Sequence, residues 1–509
     1  MLANSISATP WGIDARAVEV EVDVQGGLPQ VQIVGLPDTA VRESRERVRA
    51  AIKNCGFEMP ARSVTINLAP ADLRKQGNHL DLAIAVALLA AYGHLSPETL
   101  QGRILCGELG LDGTIRSVRG GLAIADLGHR MGCREVLLPS PNAAEAAALG
   151  SVPVVPLDSL AQAVEHLLGN QPLEPTIHRH LAPENPEVAP DLAEVRGQDT
   201  AKRALEIAAA GGHNLLMVGP PGSGKTMLAR RLPGLLPELT LAESIAVTKV
   251  YSIADHQPPS GLLRHRPFRS PHTGISTAGL IGGGSHPRPG EVTLAHTGVL
   301  FLDELPEFRR DTLESLRQPL EEGHVTVVRA QARLTFPARF ALVASLNPCP
   351  CGHLGDPRGQ CRCSPLAVER YRSRISGPLL DRIDLHVEVP AITLDDLKKR
   401  PTESTAEVAQ RVAEARERQA RRFPTTAATP VNAALSPDQV REHCTPDASG
   451  QQLLERAFDA LGLSARAHQR ILKVARTLAD LAGREQVQSA QIAEAIQYRE
   501  MDTRMVGNR

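Results

Sequence analysis

Residues 219–226 read Gly-Pro-Pro-Gly-Ser-Gly-Lys-Thr, and a loop of this kind works only between a buried strand and the start of a helix. Gly219, Gly222 and Gly224 free the backbone to aim successive N–H groups at phosphate oxygens, at the positive end of the following helix. Pro220, Pro221 and Ser223 complete the loop, Lys225 reaches the β and γ phosphates, and the Thr226 hydroxyl faces Mg²⁺. The flanks meet the requirement. Helical spacing over 201–210 leads into an apolar run over 214–218, and a second helix is expected from Lys225. A chance glycine-rich turn would not carry all eight positions in this context. The expectation is an ATP-binding site with Mg²⁺ in a doubly wound α/β domain.

The other parts of a hydrolytic site follow in order. Val299-Leu300-Phe301-Leu302 is a buried-strand run ending in Asp303-Glu304, which delivers two carboxylates beside the loop in a parallel sheet. Asp303 is assigned to Mg²⁺ and Glu304 to polarising the attacking water, since hydrolysis needs both a metal and an in-line nucleophile. Asn347, just past the strand expected over 340–345, is placed as the polar sensor of the γ phosphate; a turn residue before Pro348 is the plainer alternative. Arg382 in Leu379-Leu380-Asp381-Arg382-Ile383-Asp384 is the candidate arginine finger for a neighbouring subunit, against a salt bridge to Asp381 or Asp384. Arg466 is the candidate second arginine, with Arg470 one turn on as its substitute.

At 509 residues the chain suggests about three domains of roughly 150 residues each. Residues 1–170 alternate strand and helix signals as one α+β domain; period-2 valines at 18, 20, 22 and 24 mark its clearest strand. A Pro-rich linker is expected over 171–190, the P-loop α/β core over 191–395, and a helical lid over 396–509. Lys plus Arg number 56 against 57 Asp plus Glu, so any nucleic-acid contact must be local rather than due to bulk charge. No apolar run reaches the roughly 20 residues that span a bilayer, and no secretory signal is read at the N-terminus, so a cytoplasmic, reducing location is expected.

Four of the eight cysteines, Cys349, Cys351, Cys361 and Cys363, fall within fifteen residues. Four thiolates on two short arms suit tetrahedral Zn²⁺, although C-x-C is tighter than the usual C-x₂-C knuckle, and His353 could replace one ligand. The alternative is reduced thiols on a loop. Two short strands around Ala330-Gln331-Ala332 suggest a hairpin with Arg329 and Arg333 near its tip, able to grip DNA phosphates without sequence preference, or simply solvated. Arg264, Arg266 and Arg269 with Phe268 form a second basic patch, in which a core Phe competes with a base-stacking one.

These elements in this order resemble AAA+ ATPases. Four segments, 33–38 (Ile-Val-Gly-Leu-Pro-Asp), 67–75 (Asn-Leu-Ala-Pro-Ala-Asp-Leu-Arg-Lys), 266–269 (Arg-Pro-Phe-Arg) and 347–352 (Asn-Pro-Cys-Pro-Cys-Gly), narrow the resemblance to the magnesium-chelatase-like ComM/YifB family over essentially the whole chain. The resemblance implies a homohexameric ring and a DNA branch-migration helicase serving homologous recombination in natural transformation, with DNA and the recombination machinery as partners. It also likens 274–284, small and apolar, to the moving pore insertion of the helix-2-insert clade. The N-terminal domain resembles the Lon protease domain, but 75–81 holds no serine and Ala123 stands where the lysine would, so Ser-Lys chemistry is excluded. The rival reading is a magnesium-chelatase-like protein that remodels a protein partner.

Overall fold

The computed structural model describes residues 1–75, 77–177, 190–254, 261–284, 288–329, 332–355, 361–398, 403–423 and 431–499. Its N-terminal part opens with β1 (Leu2–Trp11), β2 (Asp14–Gln25), β3 (Gln30–Val34), β4 (Ser63–Ala69) and β5 (Arg103–Leu105). A small ribbon of β6 (Glu108–Leu109) and β7 (Ile115–Arg116) follows, then β8 (Glu135–Pro139) and β9 (Val154–Leu157). Seven of these strands form one sheet in the order β3-β4-β2-β1-β5-β8-β9. Val18, Val20, Val22 and Val24 all point inward, as their alternation requires. The strands on either side of Gly26-Gly27 do not pair with each other: β4 lies between them, antiparallel to β2 and parallel to β3. β1 pairs along its whole length with β2, from Leu2↔Asp23 to Trp11↔Asp14. The helix over Thr39–Asn54 starts at Asp38, whose carboxylate accepts from Val41 N–H at 2.8 Å. The helix over Asp81–Ala91 is buried on every side, which its sequence, apolar throughout after Asp81, demands.

The central region holds a second, all-parallel sheet. Its strands are β10 (Leu215–Val218), β11 (Phe268–Arg269), β14 (Val299–Leu302), β17 (Ala341–Leu346) and β18 (Leu385–Glu388), in the order β11-β14-β17-β10-β18. Two ribbons accompany it, β12 (Gly282–Gly283) with β13 (Arg288–Pro289) and β15 (His324–Arg329) with β16 (Ala332–Pro337). Continuous apolar strands are buried on both faces, as a parallel sheet between helices needs. The chain is thus mixed α/β with a parallel sheet.

Helices over Thr405–Arg422, Pro437–His443, Ala448–Leu461, Ala465–Leu481 and Ser489–Gln497 follow. The first begins in a capping box of Ser404 and Glu407. Val412, Leu454, Ile471 and Ile492 share one core with Leu205, Leu215 and Leu385 of the central region. Asp384, just before β18, reaches Arg470 at 3.2 Å, and with His213 beside it as well its carboxyl stays charged well below the usual range despite burial.

The N-terminal and central parts meet at the helix over Leu241–Ala254. Lys249 Nζ bridges Asp14 and Asp126, each at 2.9 Å, and Gly120 N–H donates to the Ser252 carbonyl at 3.1 Å. Trp11 and Ile13, at the β1–β2 turn, pack on the central core. Glu145 is buried at this seam, near Asn142, Ser252 and Gly121. Burial raises its carboxyl to about 7, against hydrogen bonding that pulls it down. The folded chain therefore keeps a proton that the unfolded chain releases near pH 4.5, so stability is full below that pH and falls as pH rises to about 7. Glu145→Gln is expected to be more stable than wild type at pH 8 by about 1–3 kcal/mol, with a smaller difference at pH 5. Denaturant unfolding at the two pH values measures it; a pH-independent difference rules out this titration as the cause.

Candidate nucleotide site

Lys225, Thr226, Asp303, Glu304, Asn347 and the loop before them converge at the carboxyl ends of β10, β14 and β17, where parallel sheets place their ligands. β17 separates the other two strands, pairing Val218 with Leu346 on one side and Leu302 with Ala344 on the other. That register sets Asp303 and Glu304 beside the loop.

The loop is built for a close approach to phosphate. Gly222 and Gly224 hold φ of +76° and +91°, a region that favours glycine, and a Cβ on Gly219 would stand 2.1 Å from the Val389 carbonyl oxygen. Lys225, 8% exposed, donates from Nζ to the Gly219 and Pro220 carbonyls at 2.7 and 2.9 Å and to Asn347 Oδ1 at 3.3 Å. Burial holds its ammonium below the ordinary lysine range, with Asp303 and Glu304 pulling the other way. Thr226 Oγ1 donates to Asp303 Oδ2 at 2.9 Å, so a hydroxyl and a carboxylate stand side by side. These are hard oxygen donors that suit Mg²⁺. Glu304 adopts φ 51° and ψ 50°, a costly backbone state for a non-glycine residue that functional sites often retain. Its N–H donates to Asp303 Oδ1 at 3.1 Å and to Ser345 Oγ at 3.3 Å, while its side chain is exposed. The glycine cradle and the oxygen pair fit a nucleotide with its metal.

Among the described residues neither arginine bonds a member of this cluster. Arg382, 9% exposed, pairs with Glu321 and donates to the Pro378 carbonyl at 2.6 Å, rather than bonding Asp381 or Asp384. Arg466 is exposed at the first turn of the helix Ala465–Leu481, whereas Arg470 is taken up by Asp384. Three residues that touch the site carried no motif. Ser345 donates to Asp303 Oδ1, Tyr371 lies against the Asn347 backbone, and Gln198 Nε2 donates to the Ser223 and Pro390 carbonyls at 3.3 and 2.8 Å. Only β-sheet register could have suggested Ser345.

Other expectations change. Over 274–284, Ser276 caps a helical turn, Thr277–Ile281, with Leu280 buried, and Gly282-Gly283 pair with Arg288-Pro289. Two of the three arginines of the basic patch are taken up within the chain, while Arg264 is exposed. Arg269 grips Glu291 at 2.6 and 2.8 Å, Arg266 bonds the Pro237 and Thr297 carbonyls and Glu243, and Phe268 stacks on core Phe301 at 6.1 Å. The hairpin is present: Val325, Val327, Leu334 and Phe336 enter the core, Val328 pairs with Arg333, and Arg333 is exposed. Ala330, Gln331 and the Arg329 side chain lie outside the described residues.

The four thiols of Cys349, Cys351, Cys361 and Cys363 lie within 4.8 Å of one another. Sγ of Cys349 is 3.3 Å from that of Cys351 and 3.7 Å from that of Cys361, and Cys351 to Cys361 is also 3.7 Å. A tetrahedron with Zn–S of about 2.3 Å has edges of about 3.8 Å. The cluster therefore fits a four-thiolate metal site. Among the described residues no helix is long and apolar enough to cross a membrane.

Comparison with known proteins agrees with this geometry. Residues 191–397 match the family described as magnesium chelatase, subunit ChlI, residues 20–142 match subunit ChlI of Mg-chelatase, and residues 402–499 match its C-terminal family. The chain is 44% identical over 497 residues to the uncharacterised protein YifB of Salmonella typhimurium, covering 97% of this chain and 96% of that one. It is 43% identical over 505 residues to the competence protein ComM of Haemophilus influenzae, covering 98% of both. Its likeness to the magnesium-chelatase 38 kDa subunit of Rhodobacter capsulatus is 29% over 235 residues, 42% of this chain and 58% of that one. Such a family implies the use of ATP and Mg²⁺, and with matches that run from end to end the chain belongs to the magnesium-chelatase-like ComM/YifB family.

Proposed function

We propose that the chain is an ATP-driven hexameric DNA motor that branch-migrates joint molecules in homologous recombination, so extending integration of incoming DNA in natural transformation. The observation that carries this reading is the likeness over 98% of both chains to a protein named for competence, on a chain whose Lys225 bonds Asn347 and whose Thr226 bonds Asp303 beside a phosphate-type loop. In this reading Gly219–Thr226 bind ATP, Thr226 and Asp303 hold Mg²⁺, Glu304 polarises water, and Asn347 senses the γ phosphate. Arg466 contributes from the helical lid and Arg382 from the neighbouring subunit. The N-terminal domain is a Lon-like module without peptidase chemistry, the cysteines hold Zn²⁺, and Arg329 and Arg333 contact DNA phosphates in the cytoplasm. The chelatase alternative is disfavoured because that likeness spans only 42% of this chain.

A branch-migration assay on a synthetic four-way junction tests the reading, with Lys225→Ala as control. Junction processing that needs ATP and Lys225, together with hydrolysis stimulated by forked or junction DNA, is expected. Failure of both DNA forms to stimulate hydrolysis, with no junction processing, overturns it.

A further inference from the structure

We propose that the four-cysteine cluster is a zinc staple that positions the γ-phosphate sensor, so that hydrolysis depends on a metal outside the nucleotide site; this rests on the nucleotide-site reading above. The first arm grows directly out of the sensor. Asn347 is followed by Pro348 and then Cys349, which is fully buried. Gly352 N–H closes a turn onto the Cys349 carbonyl at 2.9 Å. Gly352, at φ +80°, backs onto the phosphate loop so tightly that a Cβ there would stand 2.5 Å from Pro221 Cδ. The first arm is therefore in contact with the loop that Asn347 serves.

The second arm reaches the same place from the other side. Cys361 and Cys363 lead into Ser364, whose hydroxyl caps the helix Pro365–Arg372 by accepting from Ala367 N–H at 3.3 Å. That helix carries Tyr371 against the Asn347 backbone, and Arg372, which donates to the Pro348 carbonyl at 3.3 Å. Two segments that touch Asn347-Pro348 thus end in thiols 3.7 Å apart. A thiolate-bound Zn²⁺ would tie them into one unit, and metal-binding free energy would become conformational free energy of the sensor. Without the metal, no bond joins the thiols of the two arms, and ordering them costs loop entropy. Phosphate binding by the loop backbone does not need the staple; holding Asn347 within hydrogen-bond reach of Lys225 does.

The test uses the full chain purified under reducing conditions. Wild type is expected to carry one zinc per chain, and cobalt-reconstituted protein to show the intense visible bands of tetrahedral thiolate coordination. The double variant C361S/C363S is expected to carry none, to bind a fluorescent ATP analogue within a few-fold of wild type, and to hydrolyse ATP about 10–100-fold more slowly. Wild type stripped of its zinc by a chelator and then reloaded decides the matter if the double variant does not fold: turnover is expected to fall about 10–100-fold on stripping and to return with zinc. Wild type that purifies without zinc overturns the proposal, as does C361S/C363S or zinc-stripped wild type with undiminished turnover. A wild-type chain that binds zinc but hydrolyses no ATP removes the nucleotide reading and the coupling together; hydrolysis that is indifferent to zinc removes the coupling alone.

Discussion

Glu304→Gln is expected to slow ATP hydrolysis by about 10²–10⁴-fold while ATP affinity stays within a few-fold of wild type. The substitution removes a proton acceptor and little else. Glu304 is exposed, its N–H is already tied to Asp303 and Ser345, and its carboxylate makes no hydrogen bond among the described residues. The backbone holds it at φ 51°, so the carboxylate is aimed by the chain and not by side-chain partners. Gln has the same shape and tolerates the same backbone state about as well. Binding is assigned to other groups: the loop N–H donors, Lys225, and the Thr226–Asp303 pair. ATP-bound protein should therefore accumulate, and DNA complexes formed with ATP should outlast those of wild type. Phosphate release alongside binding of a fluorescent ATP analogue separates the two quantities. An equal loss in binding and turnover would point to a damaged β14 end rather than to lost chemistry.

The features legible in the sequence are those whose chemistry imposes a local pattern. The phosphate loop needs glycines at set positions, and Asp303-Glu304 need an apolar strand before them, so both could be read in one dimension. The helices over Thr39–Asn54 and Asp81–Ala91 carry signals of the same local kind, apolar residues at helical spacing in one and an almost wholly apolar run in the other. Strand β1 did not, because its inward face carries Ser5, Ser7 and Thr9 among small residues; the hydroxyls of Ser5 and Ser7 bond the Ala83 and Leu105 carbonyls at 3.0 and 2.8 Å. A buried face satisfied by hydroxyls leaves no period-2 hydrophobic signal.

Contacts set by register and by distant packing were equally hidden. Ser345 meets Asp303 because Ala344 pairs with Leu302 across two parallel strands, and nothing near either residue in sequence announces it. Arg266, Arg269 and Phe268 left a nucleic-acid patch and a core Phe both open, because charge and aromaticity were all the sequence offered. Their acceptors, Glu243 and Glu291, lie more than twenty residues away, and the partner of Phe268 lies on β14. The four cysteines were legible as a cluster, but not their contact with Pro221 through Gly352. Proximity in three dimensions is what turns a plausible metal loop into one that bears on the nucleotide.

Arg382→Ala is expected to lower turnover by about 10³-fold or more, the scale of a lost arginine finger, and the within-chain geometry gives a way to tell that role from a structural one. Arg382 is nearly buried, pairs with Glu321 on the helix Arg317–Glu322, and among the described residues leaves its Nε–H without a partner. Breaking a buried pair by removing one member leaves the other charge uncompensated. Glu321, however, has a side chain 55% exposed, so water can solvate it once the guanidinium is gone. Glu321→Ala removes the same ion pair while keeping the arginine. If Arg382 acts on a neighbour's nucleotide, Glu321→Ala retains most of its turnover and Arg382→Ala does not. Under the proposed ring assembly, mixing the two variants sharpens the contrast. A subunit with Arg382→Ala still has Lys225, and a subunit with Lys225→Ala still has Arg382, so mixing the two inactive proteins creates interfaces that hold both groups. Hydrolysis should reappear on mixing, in proportion to such interfaces. If Glu321→Ala loses as much as Arg382→Ala and mixing restores nothing, Arg382 serves its own chain, and the ion pair with Glu321 is its whole contribution.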